Sequence, residues 1–191
     1  MLEKVKKSVP QGRLRELLDL LITFAVTAAV VLVLFKGVFM LNSIPSGSME
    51  NTIMTGDLLI ATRFNKTDVD RYDIMVFIPP DDTDELYIKR VMGLPGETIV
   101  VKEGEVYADG VLLDRSFIPE EQTTTLDGTF QVPEGCYFVM GDNRNHSSDS
   151  RYWEHKYVPL ENMQAKAWFT VWPPSSIKNL HYSPPDGEER P

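Results

Sequence analysis

The feature that most constrains this chain is an apolar run near its N-terminus. From Leu20 to Phe35 there is no charged residue, and after Lys36 the apolar sequence continues to Leu41. As a helix rising about 1.5 Å per residue, the run from 20 to 41 would be about 33 Å long, close to the thickness of a bilayer's hydrocarbon core. Lys36 lies near the end of the run, where its long stem can reach the interface. We therefore predict a transmembrane helix over residues 17–41.

The segment before this run sets the expected orientation. Its charged residues are Lys4, Lys6, Lys7, Arg13 and Arg15 against Glu3, Glu16 and Asp19. By the positive-inside rule, residues 1–16 should be a cytoplasmic basic tail, and everything after residue 41 should lie outside. A cleavable signal peptide shares the basic start and apolar core. The long run and the lack of an A-x-A site in "FMLNSIPSGS" favour a retained anchor instead.

The remaining sequence is typical of a β domain. Residues 42–182 alternate short β-type runs with turn signals and contain no helical period of useful length. The predicted strands are 57–64, 73–78, 86–92, 98–102, 105–109, 130–132, 136–140 and 165–172. Hairpin links without βαβ alternation favour a mainly β domain, an antiparallel sheet or barrel-like fold, after one N-terminal transmembrane helix. The tail 183–191, "SPPDGEERP", is predicted to be disordered.

Charge and composition argue against several classes of function. The net charge is −9 and the pI is near 4.8, so no basic surplus exists to neutralise a nucleic acid's phosphates. The single cysteine, Cys136, allows no intrachain disulfide. No H-x-x-x-H or C-x-x-C spacing occurs, and the GxGxxG and P-loop patterns are absent. We therefore expect neither a metal nor a cofactor.

The stretch "SIPSGSMENT", residues 43–52, starts two residues after the apolar run ends and contains Ser46 and Ser48 one glycine apart. Such a stretch is typical of a linker, but it could also present a nucleophile on a tight turn. His146 lies in a polar loop beside serines and Asp149. Adjacency in sequence does not indicate a Ser-His-Asp triad, because triad members usually come from different elements. The sequence thus offers a serine without a convincing histidine.

A lysine can replace histidine as general base if burial lowers its pKa enough to leave it neutral. In "LYIKRVMGLPGE", a strand would place Tyr87, Lys89 and Val91 on one face and Arg90 on the other. Lys89 would then lie between an aromatic and a branched aliphatic side chain. A lysine on a strand is more often a solvated ammonium, so Lys89 becomes a candidate only together with other motifs.

Three motifs in order, "PSGSM", "YIKRVMGLPGE" and "GDNRNHSSDSR", resemble those of bacterial type I signal peptidases (leader peptidases). These are membrane-anchored serine proteases with a Ser-Lys dyad, and the resemblance runs over residues 42–172. It implies that Ser48 is the nucleophile and Lys89 the general base. It also implies that the Ser46 hydroxyl and the Ser48 N–H form the oxyanion hole, and that Ser147 orients the lysine ammonium. Supporting roles are implied for Gly141, Asp142, Asn143, Arg144, Asp149 and Arg151.

The resemblance implies cleavage of signal peptides from exported preproteins after small residues at −1 and −3, through an acyl-enzyme and without metal or cofactor. The expected partners are signal-peptide-bearing preproteins and membrane lipids, and the expected location is the cell membrane. Trp168, Phe169 and Trp172 are candidates for contacts with lipid headgroups, with core packing as the alternative. Two other functions stay open: a Ser-Lys peptidase with a narrower substrate, and a non-catalytic anchored β module that binds peptides.

The sequence departs from the family's pattern in two places. Asn51 stands where the family commonly has proline, which should alter the stiffness of the loop. After "DSRYW", the stretch "EHKYVP" is longer than usual and lacks a glycine, so the local turn and any role of His155 are open.

Overall fold

The structure is a computed structural model that describes residues 11–119, 121–122 and 124–182. Most of the predicted basic tail and the whole predicted disordered tail, 183–191, lie outside the described residues. The chain divides into two compact units, the first ending at Val38 and the second beginning at Phe39.

The first unit contains one helix, α1 (Gln11–Val38). From Gly12 to Val38 it is long and apolar enough to cross a membrane, and its apolar side chains are exposed all along it. A helix that is apolar all round and this long suits a hydrocarbon environment. It ends three residues before the predicted limit at residue 41, because residues 39–41 form the start of a strand instead.

The second unit consists of short strands. They are β1 (Phe39–Ser43), β2 (Leu58–Thr62), β3 (Ile74–Phe77), β4 (Tyr87–Gly93), β5 (Thr98–Lys102), β6 (Glu105–Ala108), β7 (Val111–Leu112), β8 (Gly128–Gln131), β9 (Cys136–Met140), β10 (Val158–Pro159), β11 (Met163–Trp172) and β12 (Lys178–Asn179). Single-turn 3-10 helices cover Gly47–Met49, Leu160–Asn162 and Pro174–Ser176.

All strand pairings are antiparallel and form two sheets. The larger sheet has the order β1-β2-β11-β3-β4-β9-β10, with β12 added to β11. It forms a half-barrel, and the smaller sheet has the order β7-β6-β5-β8. The predicted class, a mainly β antiparallel domain preceded by an apolar helix, is confirmed. Four strands were not predicted: β7, β10 and β12 have two residues each and show no period, while β1 is hidden at the end of the apolar run.

The hairpins of the smaller sheet follow from their turn residues. Glu103 and Gly104 have φ values of 52° and 88° between the paired residues of β5 and β6. Asp109 and Gly110 have φ values of 48° and 84° between β6 and β7. Two consecutive positive φ angles are the mark of the type I′ turn that suits a two-residue hairpin.

Apolar side chains are buried on both faces of the larger sheet. Along β3, Ile74 and Val76 enter one core cluster, while Met75 and Phe77 enter another. This explains why β3 is an uninterrupted apolar run rather than an alternating one. A third cluster joins the smaller sheet to β4 and β9 through residues such as Met92. Strand β4 therefore crosses the middle of the buried region.

Candidate active site

Ser48 lies on the 3-10 turn between β1 and β2. The backbone is extended at Ser46 (φ −127°, ψ 154°) and then turns tightly, with the Glu50 N–H donating to the Gly47 carbonyl at 3.1 Å. The next residue, Met49, is fully buried in the core, so the turn is anchored from below. In this anchored turn, Ser48 is only 9% exposed.

Lys89 comes to this turn from the middle of β4. Its Nζ donates to Ser48 Oγ at 2.7 Å and to the Ile88 carbonyl at 3.0 Å. Its Nζ also lies 5.5 Å from the centre of the Tyr87 ring, as expected for two residues on one face of a strand. The fold thus joins a serine and a lysine that are 41 positions apart in the chain.

The surroundings of Lys89 favour its neutral form. Lys89 is 4% exposed and forms no ion pair within the part of the chain that the structure describes. Burial lowers the pKa of Lys89 to about 8, while the more distant charges of Asp149 and Asp142 oppose that shift. At pH 7 about a tenth of such an amine is neutral and able to accept a proton.

Two donors beside Ser48 are available to a bound carbonyl. The Ser46 hydroxyl lies 3.4 Å from Ser48 Oγ. Among the described residues, no hydrogen bond uses the Ser48 backbone N–H as donor. A hydroxyl and a free N–H at one nucleophile can both point at a developing oxyanion.

The motif "GDNRNHSSDSR" lies under and behind this turn. Asn143 donates its backbone N–H to the Ser48 carbonyl at 3.1 Å and its Nδ2 to the Gly47 carbonyl at 3.0 Å. Asp142 accepts two bonds from Arg90, at 2.9 and 2.6 Å, in a buried bidentate pair. The predicted supporting residues Asn143 and Asp142 therefore hold the nucleophile turn and β4 respectively.

A second buried ion pair completes this layer. Asp149 accepts bonds from Arg151 Nε and Nη2, both at 2.8 Å, and from the Gly141 N–H at 2.9 Å. A Cβ on Gly141 would lie 2.2 Å from Ser147 Oγ and 2.4 Å from the Ser48 carbonyl oxygen. Only glycine leaves room for that close approach.

Arg144 and Ser147 are also buried, with less complete hydrogen bonding. Arg144 donates to Thr124 Oγ1 at 2.8 Å, and burial lowers its pKa to about 10. The Ser147 hydroxyl has no hydrogen-bond partner among the described residues. Its contact with the lysine ammonium, implied by the family resemblance, is therefore not formed here, and its orienting role stays a prediction.

The histidines form no triad with Ser48 in the described part of the chain. His146 Nδ1 bonds to Asn143 Oδ1 at 3.3 Å. His155 Nδ1 bonds to Asp81 at 2.7 Å, which ties the unusual "EHKYVP" stretch to another loop. His181 stacks on Trp168. The described part of the chain includes no group of three or more His, Cys, Asp or Glu that could hold a metal ion.

A cleft of about 300 Å³ opens onto the serine and the lysine. It is lined by Pro45, Ser46, Gly47, Ser48, Glu85, Leu86, Tyr87, Ile88, Lys89, His146 and Ser148. The pairing of β4 with β9 begins at Arg90, so the segment of β4 that lines the cleft is not paired on that side. The cleft thus offers a nucleophile, a base and a free strand edge together.

The backbone conformation at position 51 explains why this sequence has asparagine where the family commonly has proline. Asn51 has a φ of 88°, a value that asparagine tolerates and that the ring of proline, fixed near −65°, cannot adopt. Sequence reasoning also missed the Arg90–Asp142 pair and the hydrogen bond from Gln122 to Asn143. No local pattern marks either of them, since the partners are 52 and 21 positions apart.

Known proteins are similar to this chain along most of its length. The profile of the family described as "Signal peptidase, peptidase S26" matches residues 17–172. A probable signal peptidase I-2 of Synechocystis sp. is 36% identical over 179 residues, which cover 89% of this chain and 78% of that protein. Thylakoidal processing peptidase 1, chloroplastic, of Arabidopsis thaliana is 32% identical over 173 residues, covering 83% of this chain and 49% of that protein. A crystal structure of a signal peptidase I from Enterococcus faecalis is 32% identical with a TM-score of 0.45, covering 51% of this chain and 95% of that chain.

Proposed function

This chain belongs to the peptidase S26 family of signal peptidases, and from that membership we propose that it removes signal peptides from preproteins with Ser48 as nucleophile and Lys89 as general base. Family membership makes it a serine-type peptidase. The observation that carries the finer assignment is the 2.7 Å contact between Lys89 Nζ and Ser48 Oγ at the bottom of an open cleft. A β module that only binds peptides would have no use for a buried, unpaired lysine against a serine.

In the proposed acylation step, neutral Lys89 takes the proton of Ser48 Oγ as this oxygen attacks the carbonyl carbon of the scissile amide. The negative charge on the carbonyl oxygen is stabilised by the Ser48 N–H and the Ser46 hydroxyl. The Lys89 ammonium then gives its proton to the leaving nitrogen, and the C–N bond breaks. The mature protein departs with a new amino terminus, leaving the signal peptide as an ester on Ser48.

In the proposed deacylation step, Lys89 takes a proton from a water molecule, whose oxygen attacks the ester carbonyl. The ester C–O bond breaks, and Ser48 Oγ recovers its proton from the lysine. The signal peptide leaves with a free carboxyl group. One amine therefore serves both halves of the reaction, first for the serine and then for water.

The free edge of β4 supports an extended substrate. The segment from Tyr87 to Lys89 lines the cleft and has no partner from β9, so a peptide can add there as a further strand. Side chains of a strand alternate between its two faces, so residues at −1 and −3 point in the same direction. A cleft of about 300 Å³ walled by Tyr87 and Ile88 supports small side chains at these two positions.

An exposed apolar face of the larger sheet supports membrane lipids as a partner. Leu41, Ile60 and Phe169 are paired side by side across β1, β2 and β11. Leu41 and Phe169 are 53% and 45% exposed, and Trp172, further along β11, is 59% exposed. Exposed tryptophan and phenylalanine on one face suit a lipid interface. Trp168 differs, because its Nε1 donates to Thr62 Oγ1 at 2.7 Å within the domain.

The proposed location follows from the sequence around the helix. Basic residues precede α1, so we place the N-terminus in the cytoplasm and the β domain on the outer side of the cell membrane. An anchored enzyme meets a substrate that is itself held in the membrane by its signal sequence.

The proposal is tested with a preprotein whose signal sequence ends in A-x-A, incubated in detergent with wild type or with Ser48→Ala. We expect wild type to release the mature protein at that site and Ser48→Ala to release none, with mass spectrometry fixing the cleaved bond. Cleavage by Ser48→Ala, or an inert wild type, would refute the assignment. Cleavage of the preprotein at another bond would refute the −1 and −3 rule alone.

A further inference from the structure

The orientation of the Asn143 side-chain amide is fixed by its hydrogen bond to the turn that carries Ser48. Nδ2 of Asn143 donates to the Gly47 carbonyl at 3.0 Å, and the backbone N–H donates to the Ser48 carbonyl at 3.1 Å. A carbonyl oxygen can only accept, so the NH2 end of the amide must face Gly47. The Oδ1 end therefore points away from the turn and needs donors of its own.

Two side chains supply those donors from different parts of the chain. Gln122 Nε2 and His146 Nδ1 each lie 3.3 Å from Asn143 Oδ1. Gln122 cannot reverse its own amide, because its Oε1 accepts the Arg144 N–H at 3.0 Å. Since Asn143 Oδ1 is an acceptor, His146 must carry a proton on Nδ1 in this arrangement.

We propose that His146 and Gln122 are positioning residues of the nucleophile, acting through Asn143; this proposal rests on the proposed function. Together they hold the amide so that its NH2 end stays on Gly47. Rotating the amide by half a turn would place Oδ1 against the Gly47 carbonyl and break the bond that supports the turn of Ser48. The histidine is thus tied to catalysis as a donor to an amide, and it takes no proton from the serine.

Two substitutions of similar size at position 146 separate the effect of losing the hydrogen-bond donor from the effect of losing the imidazole ring. His146→Leu removes the donor, whereas His146→Asn offers an NH2 group near the place of Nδ1 at nearly the same size as leucine. We expect His146→Leu to lower kcat about tenfold, the effect of one lost hydrogen bond, with KM changed less than twofold. We expect His146→Asn to recover most of that loss. Gln122→Glu keeps an acceptor for Arg144 but replaces the donor to Asn143, and should lower kcat similarly.

A double-mutant test shows whether Asn143 transmits the effect. In an Asn143→Ala background, His146→Leu should cause no further loss, because the group on which it acts is gone. An additive loss in that background would overturn the proposal. So would a kcat equal to wild type in His146→Leu, equal losses in His146→Leu and His146→Asn, or a loss confined to KM, since the last would mean that the ring touches the substrate.

The tautomer of His146 gives a readout independent of activity. The chain has three histidines, so ¹⁵N NMR of histidine-labelled protein in detergent can resolve each ring. We expect neutral His146 to carry its proton on Nδ1 and to lose that preference in Asn143→Ala. A proton on Nε2 in the wild type would overturn the proposal. If the tautomer is as expected but wild type cleaves no preprotein, the proposed function fails while the contact to Asn143 stands.

Discussion

Lys89 and Lys166 are two buried lysines of the same sheet in opposite surroundings. They are 4% and 6% exposed. Lys166, on β11, pairs with Asp73 at 2.6 Å, and Asp70 lies 3.9 Å away. Lys89, on β4, has a serine hydroxyl and a backbone carbonyl as its partners. A carboxylate partner favours the charged form of an amine, whereas burial without one favours the neutral form. A buried lysine of this sheet is therefore suited to act as a base only where no carboxylate pairs with it, as at Lys89.

The two acids whose charges act on Lys89 are both bound by arginines. Asp142 is held by Arg90 and Asp149 by Arg151, each through two hydrogen bonds. They act on Lys89 only as charges at a distance, which raise its pKa less than burial lowers it. The two buried ion pairs thus shape the site and keep the lysine unpaired.

The comparison predicts opposite outcomes for the same substitution at the two lysines. Lys89→Met removes the amine at nearly constant volume and should lower kcat/KM by about 10³-fold or more, because the serine loses its base. Its stability at pH 7 should rise by up to about 3 kcal/mol, since a buried amine with a lowered pKa destabilises the folded state there. Kinetics with a preprotein and urea unfolding measure the two effects; retained activity would end the dyad assignment.

Lys166→Met should do the reverse. It leaves Asp73 buried without its cation, and we expect a loss of about 3 kcal/mol in the free energy of unfolding. The kcat of the folded fraction should stay within about twofold of wild type, since Lys166 lies outside the cleft. A large loss of kcat with unchanged stability would show that the comparison between the two lysines is mistaken.

Gly141→Ala tests how closely Gly141 packs against the turn that carries Ser48, the partner of Lys89. The new Cβ would overlap the Ser48 carbonyl oxygen and Ser147 Oγ, so the nucleophile turn must move. We expect kcat to fall about 10–100-fold, because small displacements of a nucleophile are costly. Gly47→Ala is the matched control: the three atoms nearest to its Cβ would all belong to the flexible carboxylate end of Glu50, so its loss should be smaller. Equal losses would contradict this reading of the packing.

The smallest effect expected is that of pH. With the pKa of Lys89 near 8, kcat/KM should fall about tenfold per unit below pH 8 and level off above it. The folded-state pKa lies below the ordinary value of 10.5, so the unfolded chain binds more protons between pH 8 and 10.5, and stability should rise across that window. Lys89→Met should lack this rise. If activity instead fell off below about pH 10, the pKa of the Lys89 amine would not be lowered at all.

Much of the fold could be predicted because its signals are local. The apolar run gave α1, and period-two runs bounded by turn residues gave most of the strands. The type I′ turns at Glu103-Gly104 and Asp109-Gly110 each follow from two neighbouring residues with positive φ. Strands of two residues, and β1 at the end of the apolar run, could not be found because they carry no period of their own. The candidates Ser48 and Lys89 came from motif resemblance, since a strand lysine alone is usually solvated.

What the sequence determined by itself is therefore a long apolar helix, an antiparallel β class and the identity of the residues that could react. These depend on composition, periodicity and motifs within a few positions of one another. Only the tertiary structure decided that Lys89 is unpaired while Lys166 is paired, and that Asn143 reaches the Ser48 turn from 95 positions away. Burial and charge pairing depend on which distant segments pack together, and no window along the chain contains both partners.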